Sequence, residues 1–193
     1  MTSKIRCSLL AIALVLVSAA HAQDPRSKVQ PAHSKAVISN VIDLPKKTIF
    51  GIPLGTTEDQ FIAQYGPAVG YLRLNATQSL MLYGQSIGFL FDGGKLAGVR
   101  LSDHLLDWRL ANGADMRTPF SHLEWRLSNG IRKDSRMDEV RRIVGKQLTS
   151  SRFDNYYTEA GLRVDMDVVT VRSSASDTSE QESQQRLGGI YIH

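Results

Sequence analysis

Two heptads of closely similar sequence decide how this chain is interpreted: Lys95–Leu101 (KLAGVRL) and Arg186–Ile192 (RLGGIYI). They agree in residue character at every position except the one where Arg100 stands against Tyr191. Similarity at a fixed spacing is the signature of a duplicated structural unit. The heptads therefore predict a chain built from two related halves.

The similarity extends upstream of both heptads. The segments 51–66 and 130–145 each begin and end with glycine. In each segment a hydroxyl residue, Thr56 or Ser135, is followed three positions later by an aspartate. This spacing is a variant of the capping box, so it predicts a short helix that starts at the hydroxyl residue and ends at the closing glycine.

Runs of alternating or β-branched residues follow each predicted helix, and they predict strands. The runs are 80–83, 87–91 and 95–101 in the first half and 156–157, 161–171 and 186–192 in the second. Asp92-Gly93-Gly94 predicts a tight hairpin turn before the first heptad. The sequence thus predicts an α+β fold with two tandem repeats of a short helix plus a three-stranded antiparallel meander, joined by a helical connector.

This interpretation divides the chain into five segments. Residues 1–22 are predicted to be a signal peptide cleaved near Ala22, because a charged start, a short apolar run and small residues follow one another. The other segments are a flexible tether (23–35), a first repeat with a preceding strand (36–103), a helical connector (104–129) and a second repeat (130–193) with a long hairpin loop at 172–185. In the connector, Trp108 and Trp125 are expected to pack against the sheet.

Charge and cysteine content narrow the classes of function. The net charge is +4, and it falls to +2 once Lys4 and Arg6 leave with the signal peptide. That excess is too small to indicate a nucleic-acid partner. The single cysteine, Cys7, lies in the predicted signal peptide, so the fold is expected to depend on packing without disulfides.

The helix-and-sheet units resemble the β-lactamase inhibitor protein architecture. The opening segment 51–61 (GIPLGTTEDQF), closed by Tyr65-Gly66, is similar to the single unit of small outer-membrane-assembly lipoproteins of the SmpA/OmlA type. The resemblance covers 51–192 and is carried by caps, glycines and apolar positions. It implies protein binding through the sheet or its loops, without catalysis. The chain departs from both families in having no disulfides and no lipidated cysteine, and no inhibitory residue of either family maps onto it.

No catalytic, cofactor or metal motif emerges from the sequence. Partner-binding residues are instead expected in two kinds of place. The sequence aligns Tyr156 with Tyr83. Tyr157, Arg163 and Tyr191 then differ from the residues aligned with them in the first half (Gly84, Leu90 and Arg100), and a divergent position is where a duplicated scaffold can acquire a new role. Arg141 and Arg142 belong to a mixed-charge basic cluster around the second helix, together with Arg132, Lys133, Arg136 and Lys146. The cluster fits a solvated helix face, an acidic protein or anionic lipid headgroups.

We therefore expect an exported, periplasmic or secreted, non-enzymatic protein-binding module, such as an inhibitor, an immunity protein or an envelope accessory protein. Its partner is another protein, acidic or associated with the cell envelope, and any membrane contact is peripheral. The alternative is a cell-wall-directed enzyme or small-ligand binder that uses His104 and Asp107 of the connector. A purely structural envelope protein is a third option.

Overall fold

The computed structural model describes residues 38–102, 105, 118–151, 154–172 and 183–193. The predicted signal peptide and tether lie outside the described residues, and so do Trp108 and most of the loop predicted at 172–185. Within the described ranges, no helix is long and apolar enough to cross a membrane.

The described part of the chain is mostly β-structure. Its strands are β1 (Val41–Asp43), β2 (Thr48–Ile49), β3 (Ile52–Pro53), β4 (Gly70–Arg73), β5 (Gln78–Leu82), β6 (Ile87–Asp92), β7 (Lys95–Ser102), β8 (Arg126–Leu127), β9 (Thr149–Ser150), β10 (Asn155–Glu159), β11 (Leu162–Arg172) and β12 (Ser183–Ile192). The α-helices are α1 (Glu58–Tyr65) and α2 (Met137–Val144), and a 3₁₀ turn (Gly145–Gln147) follows α2.

The predicted fold class was wrong. In place of two helix-plus-three-strand repeats, the described residues form a four-stranded sheet (β3-β2-β1-β8) and an eight-stranded sheet (β4-β5-β6-β7-β12-β11-β10-β9), with two helices of eight residues each. Of the four-stranded sheet, only β1 was predicted, as the strand that precedes the first repeat. Its other strands were missed because strands of two residues are too short to show any periodicity. The strands β4 and β9 were missed because neither has a buried face to impose an alternation of apolar and polar residues: their residues are intermediate or exposed.

The two heptads lie side by side at the centre of the eight-stranded sheet. Strands β7 and β12 pair antiparallel, with Arg100 opposite Tyr191. Each strand then continues outward into a hairpin with its own half of the chain, β7 with β6 and β12 with β11. The last three residues of the two heptads therefore face each other across one central ladder, with apolar residues on either side of the Arg100–Tyr191 pair.

The two halves of this sheet also share their irregularities. The register shifts between Leu90 and Phe91 on β6 and between Asp167 and Val168 on β11. Beyond each shift the segment before a helix is tied to the sheet: Leu96 donates its N–H to the Thr56 carbonyl (2.8 Å), and Leu187 donates to the Ser135 carbonyl (2.9 Å). These backbone bonds fix α1 and α2 over the same face of the sheet.

The helix starts differ from the prediction by one residue. Thr57 caps α1, since its hydroxyl accepts from the Gln60 N–H (3.3 Å) and the Gln60 side chain accepts from the Thr57 N–H (3.1 Å). Arg136 precedes α2 and makes no side-chain cap. The Ser135 hydroxyl accepts from the Arg132 N–H (3.1 Å) instead, so it stabilises the turn before the helix.

Glycines end both helices and form the central hairpin turn, as predicted. Gly66 and Gly145 follow the last helical residues with φ of +84° and +63°. Gly93 and Gly94 join β6 to β7 with φ of +56° and +74°. Two successive positive φ values in a two-residue hairpin loop are the pattern that glycine adopts most readily.

The main hydrophobic core fills the face of the eight-stranded sheet that the helices cover, here called the inner face. Its centre in the first half is Phe61 of α1, whose ring lies 4.7 Å from Phe89 and 5.3 Å from Tyr83. Trp125 belongs to this core and is 7% exposed, as expected from the sequence. The opposite, outer face carries a small cluster built on Leu80, Leu82 and Leu90.

Candidate functional site

A cleft of about 1130 Å³ opens beside the inner face. Three stretches of chain form most of its wall: the turn between β5 and β6, residues 120–125, and residues 132–136 before α2. Tyr83, Phe120 and Trp125 contribute buried aromatic surface to its lining. The cleft thus combines an aromatic floor with a rim of loops and charged side chains.

The cleft and the neighbouring helix α2 carry an excess of positive charge. Four cations line the cleft, namely Arg132, Lys133, Arg136 and Arg186, together with the carboxylates Glu124, Asp134 and Glu139. Helix α2 and its following turn add the cations Arg141, Arg142 and Lys146 and the carboxylate Asp138. Seven cations against four carboxylates leave three positive charges on this surface, which we call the basic surface.

The cations of the basic surface are engaged to different degrees. Arg136 pairs with Asp138 (3.0 Å), and Arg186 donates two hydrogen bonds to Gln184 (2.8 and 3.0 Å). The Arg132 guanidinium makes no hydrogen bond or ion pair with the residues that the structure describes. Arg132 is therefore the cation at the cleft whose donors are most available to a bound anion.

Tertiary pairing brings Arg186 to this surface. The sequence places it in the second heptad, 50 positions after Arg136. A β-bridge between Arg136 and Arg186 sets the two residues side by side at the start of α2. The basic cluster seen in the sequence signalled Arg132, Lys133 and Arg136, but no sequence pattern pointed to Arg186.

Arg141 and Arg142 lie in the last turn of α2, where both are exposed. Cations at a helix C-terminus interact favourably with the helix dipole, and Asp138 and Glu139 do the same at the N-terminus. This arrangement gives the two arginines a structural role in the helix while leaving their guanidinium groups at the surface. Their predicted part in partner binding is compatible with that exposure.

Tyr157 occupies the hydrophobic core, with 2% of its surface exposed. Its hydroxyl accepts a hydrogen bond from Asn129 Nδ2 (3.3 Å), and burial raises its pKa to about 12 despite that bond. A side chain so deeply buried offers a partner no contact area. The sequence alignment was off by one residue here: Tyr157, opposite Val164, holds the place that Tyr83 holds beside Ile87, and Tyr83 is buried too.

Arg163 lies on the outer face of the sheet, away from the cleft, in a network of polar contacts. Its guanidinium binds Asp165 (2.7 and 2.8 Å) and lies 3.8 Å from the centre of the Tyr156 ring. Asp165 also contacts His193, with Nε2 and Oδ2 2.8 Å apart. Burial alone would raise the Asp165 pKa, but the bonds from Arg163 and His193 outweigh it and lower the pKa.

Tyr191 faces Arg100 at the centre of the ladder between the two heptads. The ladder is approximately two-fold symmetric: Gly98 lies close to the carbonyl of Ile192, and the equivalent Gly189 lies close to the carbonyl of Leu101. At its centre equivalent positions face each other, so two identical arginines there would repel. The tyrosine replaces that repulsion with an attraction between the Arg100 cation, 6.0 Å away, and the Tyr191 ring. The one divergent position of the heptads thus has a structural reason.

The predicted partner-binding residues therefore do not form one site. Arg141 and Arg142 lie on the basic surface, Tyr157 in the core, and Arg163 and Tyr191 on the outer face. His104 and Asp107, on which the enzymatic alternative depended, lie outside the described residues. Among the described residues, no group of three or more His, Cys, Asp or Glu side chains is placed to hold a metal ion.

Comparisons with protein families, with curated proteins and with solved structures found no match. The resemblance to β-lactamase inhibitor proteins and to SmpA/OmlA-type lipoproteins accordingly stays a prediction from the sequence.

Proposed function

We propose that this protein is an exported, non-enzymatic module that binds another protein, and that its cleft receives an acidic segment of that partner. The observation that carries the proposal is the lining of the cleft, where an aromatic floor lies beside the cations Arg132, Lys133, Arg136 and Arg186, which outnumber the three carboxylates there. Arginine and aromatic side chains dominate the energetics of protein interfaces. The excess positive charge on the adjoining helix steers an acidic partner toward the same place.

The cleft has room for a short polypeptide segment. Its volume of about 1130 Å³ lies near the upper end of the ~300–1,000 Å³ range of small-ligand pockets. A segment of several residues can contact both the rim and the floor at once. Export is supported by the pattern of residues 1–22, which is that of a signal peptide.

Charge reversal within the cleft tests the proposal. The variant Arg132→Glu/Arg186→Glu is compared with wild type for binding of a fluorescent glutamate-rich peptide, followed by anisotropy at several salt concentrations. We expect wild-type affinity to fall with salt and the variant to lose at least about tenfold, or about 1.4 kcal/mol. The wild-type protein should not bind a lysine-rich peptide of the same length.

Lys95→Glu is the matched control. Lys95 holds in β7 the place that Arg186 holds in β12, because Lys95 bridges Thr57 as Arg186 bridges Arg136. It does not line the cleft. Its partner in the comparison is the single variant Arg186→Glu, which changes the net charge by the same amount. If Lys95→Glu weakens peptide binding as much as Arg186→Glu does, general charge and not the cleft is responsible, and the proposal fails.

A further inference from the structure

Strand β4 forms an edge of the eight-stranded sheet and exposes apolar side chains on both faces. Tyr71 is 59% exposed and Leu72 is 52% exposed, and Leu74 just beyond the strand is 45% exposed. Leu72 pairs with Leu80, so it extends the leucine cluster of the outer face, whereas Tyr71 pairs with Met81 of the main core. An exposed apolar edge strand is a template for pairing with another strand.

The main-chain groups of Tyr71 and Arg73 point away from the sheet. Leu74 donates its N–H to Gln78 opposite it (2.9 Å), which makes this a hydrogen-bonded pair of the antiparallel ladder. Such pairs alternate along an antiparallel ladder, so Leu72 is again hydrogen-bonded to β5 while Tyr71 and Arg73 are not. Their N–H and C=O groups are therefore directed outward.

The charged side chain that could protect the edge of β4 from pairing does not extend from the edge. Natural proteins commonly protect an edge with a protruding charge, a proline or a bulge. The one charged residue of β4 is Arg73, and its guanidinium bends back to the carbonyls of Asn75 and Ala76 (both 3.1 Å). It closes the turn into β5 and leaves the edge open.

We propose that β4 pairs antiparallel with β4 of a second copy of this chain, joining two eight-stranded sheets edge to edge across a two-fold axis. A two-fold interface uses the same patch on both copies, so the strand must complement itself. With the axis at Leu72, the outward groups of Tyr71 meet those of Arg73 in the other copy. Leu72 then packs on its counterpart, and Leu74 lies over Gly70, which has no side chain.

The opposite edge of the sheet explains why pairing involves β4 alone. Strand β9 consists of Thr149 and Ser150, two exposed polar residues, and the Ser150 hydroxyl bonds to Asn155 (2.7 Å). It offers two residues and no apolar surface. Because β4 is itself short, the interface lies below the standard size of about 1,600 Å², and the dimer dissociates on dilution.

Sedimentation velocity over a range of concentrations up to about 1 mM tests for self-association. We expect a monomer at low concentration and a dimer at high concentration, with Leu72→Asp remaining monomeric because two carboxylates meet at the axis. Leu72 is half exposed, so this variant should melt within a few degrees of wild type. A wild-type protein that stays monomeric at all concentrations overturns the proposal. The edge of β4 would then be open to a strand of a different protein.

Disulfide trapping tests the register. In a Cys7→Ser background, Leu72→Cys places two thiols across a non-hydrogen-bonded pair, where Cα atoms are about 4.5 Å apart and a disulfide can form. We expect rapid oxidation to a covalent dimer. Ser150→Cys at the opposite edge is the matched control and should stay monomeric. Equal rates for the two variants would show random collision and would refute the pairing.

Discussion

The two halves of the eight-stranded sheet share one backbone pattern but use it differently. In the first half, Phe61 of α1 is surrounded by aromatic rings, and Thr57 caps the helix. In the second half, Val140 takes the place of Phe61. Arg136, which precedes α2, makes no side-chain cap and pairs with Asp138 at the surface. The comparison shows that aromatic packing is concentrated in one half while charge available for binding is concentrated in the other.

The outer face shows the same contrast. On the first half, Leu80, Leu82 and Leu90 form an apolar cluster against which Leu105 packs. On the second half, Asp165 lies where Gly88 lies in the first, since Asp165 pairs with Tyr191 as Gly88 pairs with Arg100. An alanine at Gly88 would come within 2.9 Å of Leu80. One row of positions thus carries leucine packing in one half and an ionic network in the other.

Truncating the equivalent helix residues is the strongest test of the contrast in packing. Phe61 and Val140 are both 0% exposed, so each truncation leaves a cavity in the core. We expect Phe61→Ala to lower the free energy of unfolding by about 4 kcal/mol and Val140→Ala by about 2 kcal/mol. Urea denaturation measures both values. Equal losses would show that the two halves contribute alike to stability.

The glycines of the central ladder give the next largest effect. A Cβ on Gly98 would lie within 1.9 Å of the Ile192 carbonyl oxygen, and one on Gly189 within 2.4 Å of the Leu101 oxygen. Because both obstacles are backbone atoms, each alanine variant must push β7 and β12 apart, at a cost of about 3 kcal/mol.

Gly188→Ala is the control for the ladder glycines. Its Cβ would clash only with the Val169 side chain (2.8 Å), which is 45% exposed, and would lie at an ordinary contact distance of 3.7 Å from the Asp167 carbonyl oxygen. The aligned position in the first heptad, Ala97, already carries a Cβ. We expect a loss of about 1 kcal/mol at most by the same denaturation assay. A larger loss at Gly188 than at Gly98 would contradict the close approach of the two heptads.

The ionic network of the second half gives the smallest effect, and it depends on pH. The bonds from Arg163 and His193 lower the pKa of Asp165 in the folded protein, so its contribution to stability is present above the unfolded-state pKa. That contribution is lost as the pH falls through the folded-state pKa. The difference in melting temperature between wild type and Asp165→Asn should therefore shrink between about pH 5 and pH 2. A difference that does not change with pH would mean that Asp165 acts by packing alone.

Features that depend on neighbouring residues were predictable. Alternating apolar residues located β5, β6, β7 and β12 to within a few positions, and glycine located both helix ends and the central hairpin turn. Even the error at the helix starts was a single residue. These features follow from backbone conformation and side-chain periodicity, which depend on residues that are close together in the sequence.

Features that depend on distant partners were not predictable. The alignment matched Tyr83 with Tyr156, but the strand register makes the buried Tyr157 the equivalent of Tyr83. A shift of one residue moves a side chain to the other face of the sheet. The cleft was missed for a similar reason. Arg186 reaches Arg136 only through a bridge between segments far apart in sequence.

The amino-acid sequence alone shows that two similar heptads exist, predicts that each ends its half of the fold as a strand, and reveals that Arg100 and Tyr191 are the one position where the heptads differ in character. That the heptads pair with each other, and so merge two predicted sheets into one, is visible only in the folded chain. The tertiary structure also supplied the reason for the difference. The ladder between β7 and β12 is approximately two-fold symmetric, so equivalent positions of the two heptads are opposite each other at its centre. Two arginines there would repel, whereas Tyr191 offers Arg100 an aromatic ring.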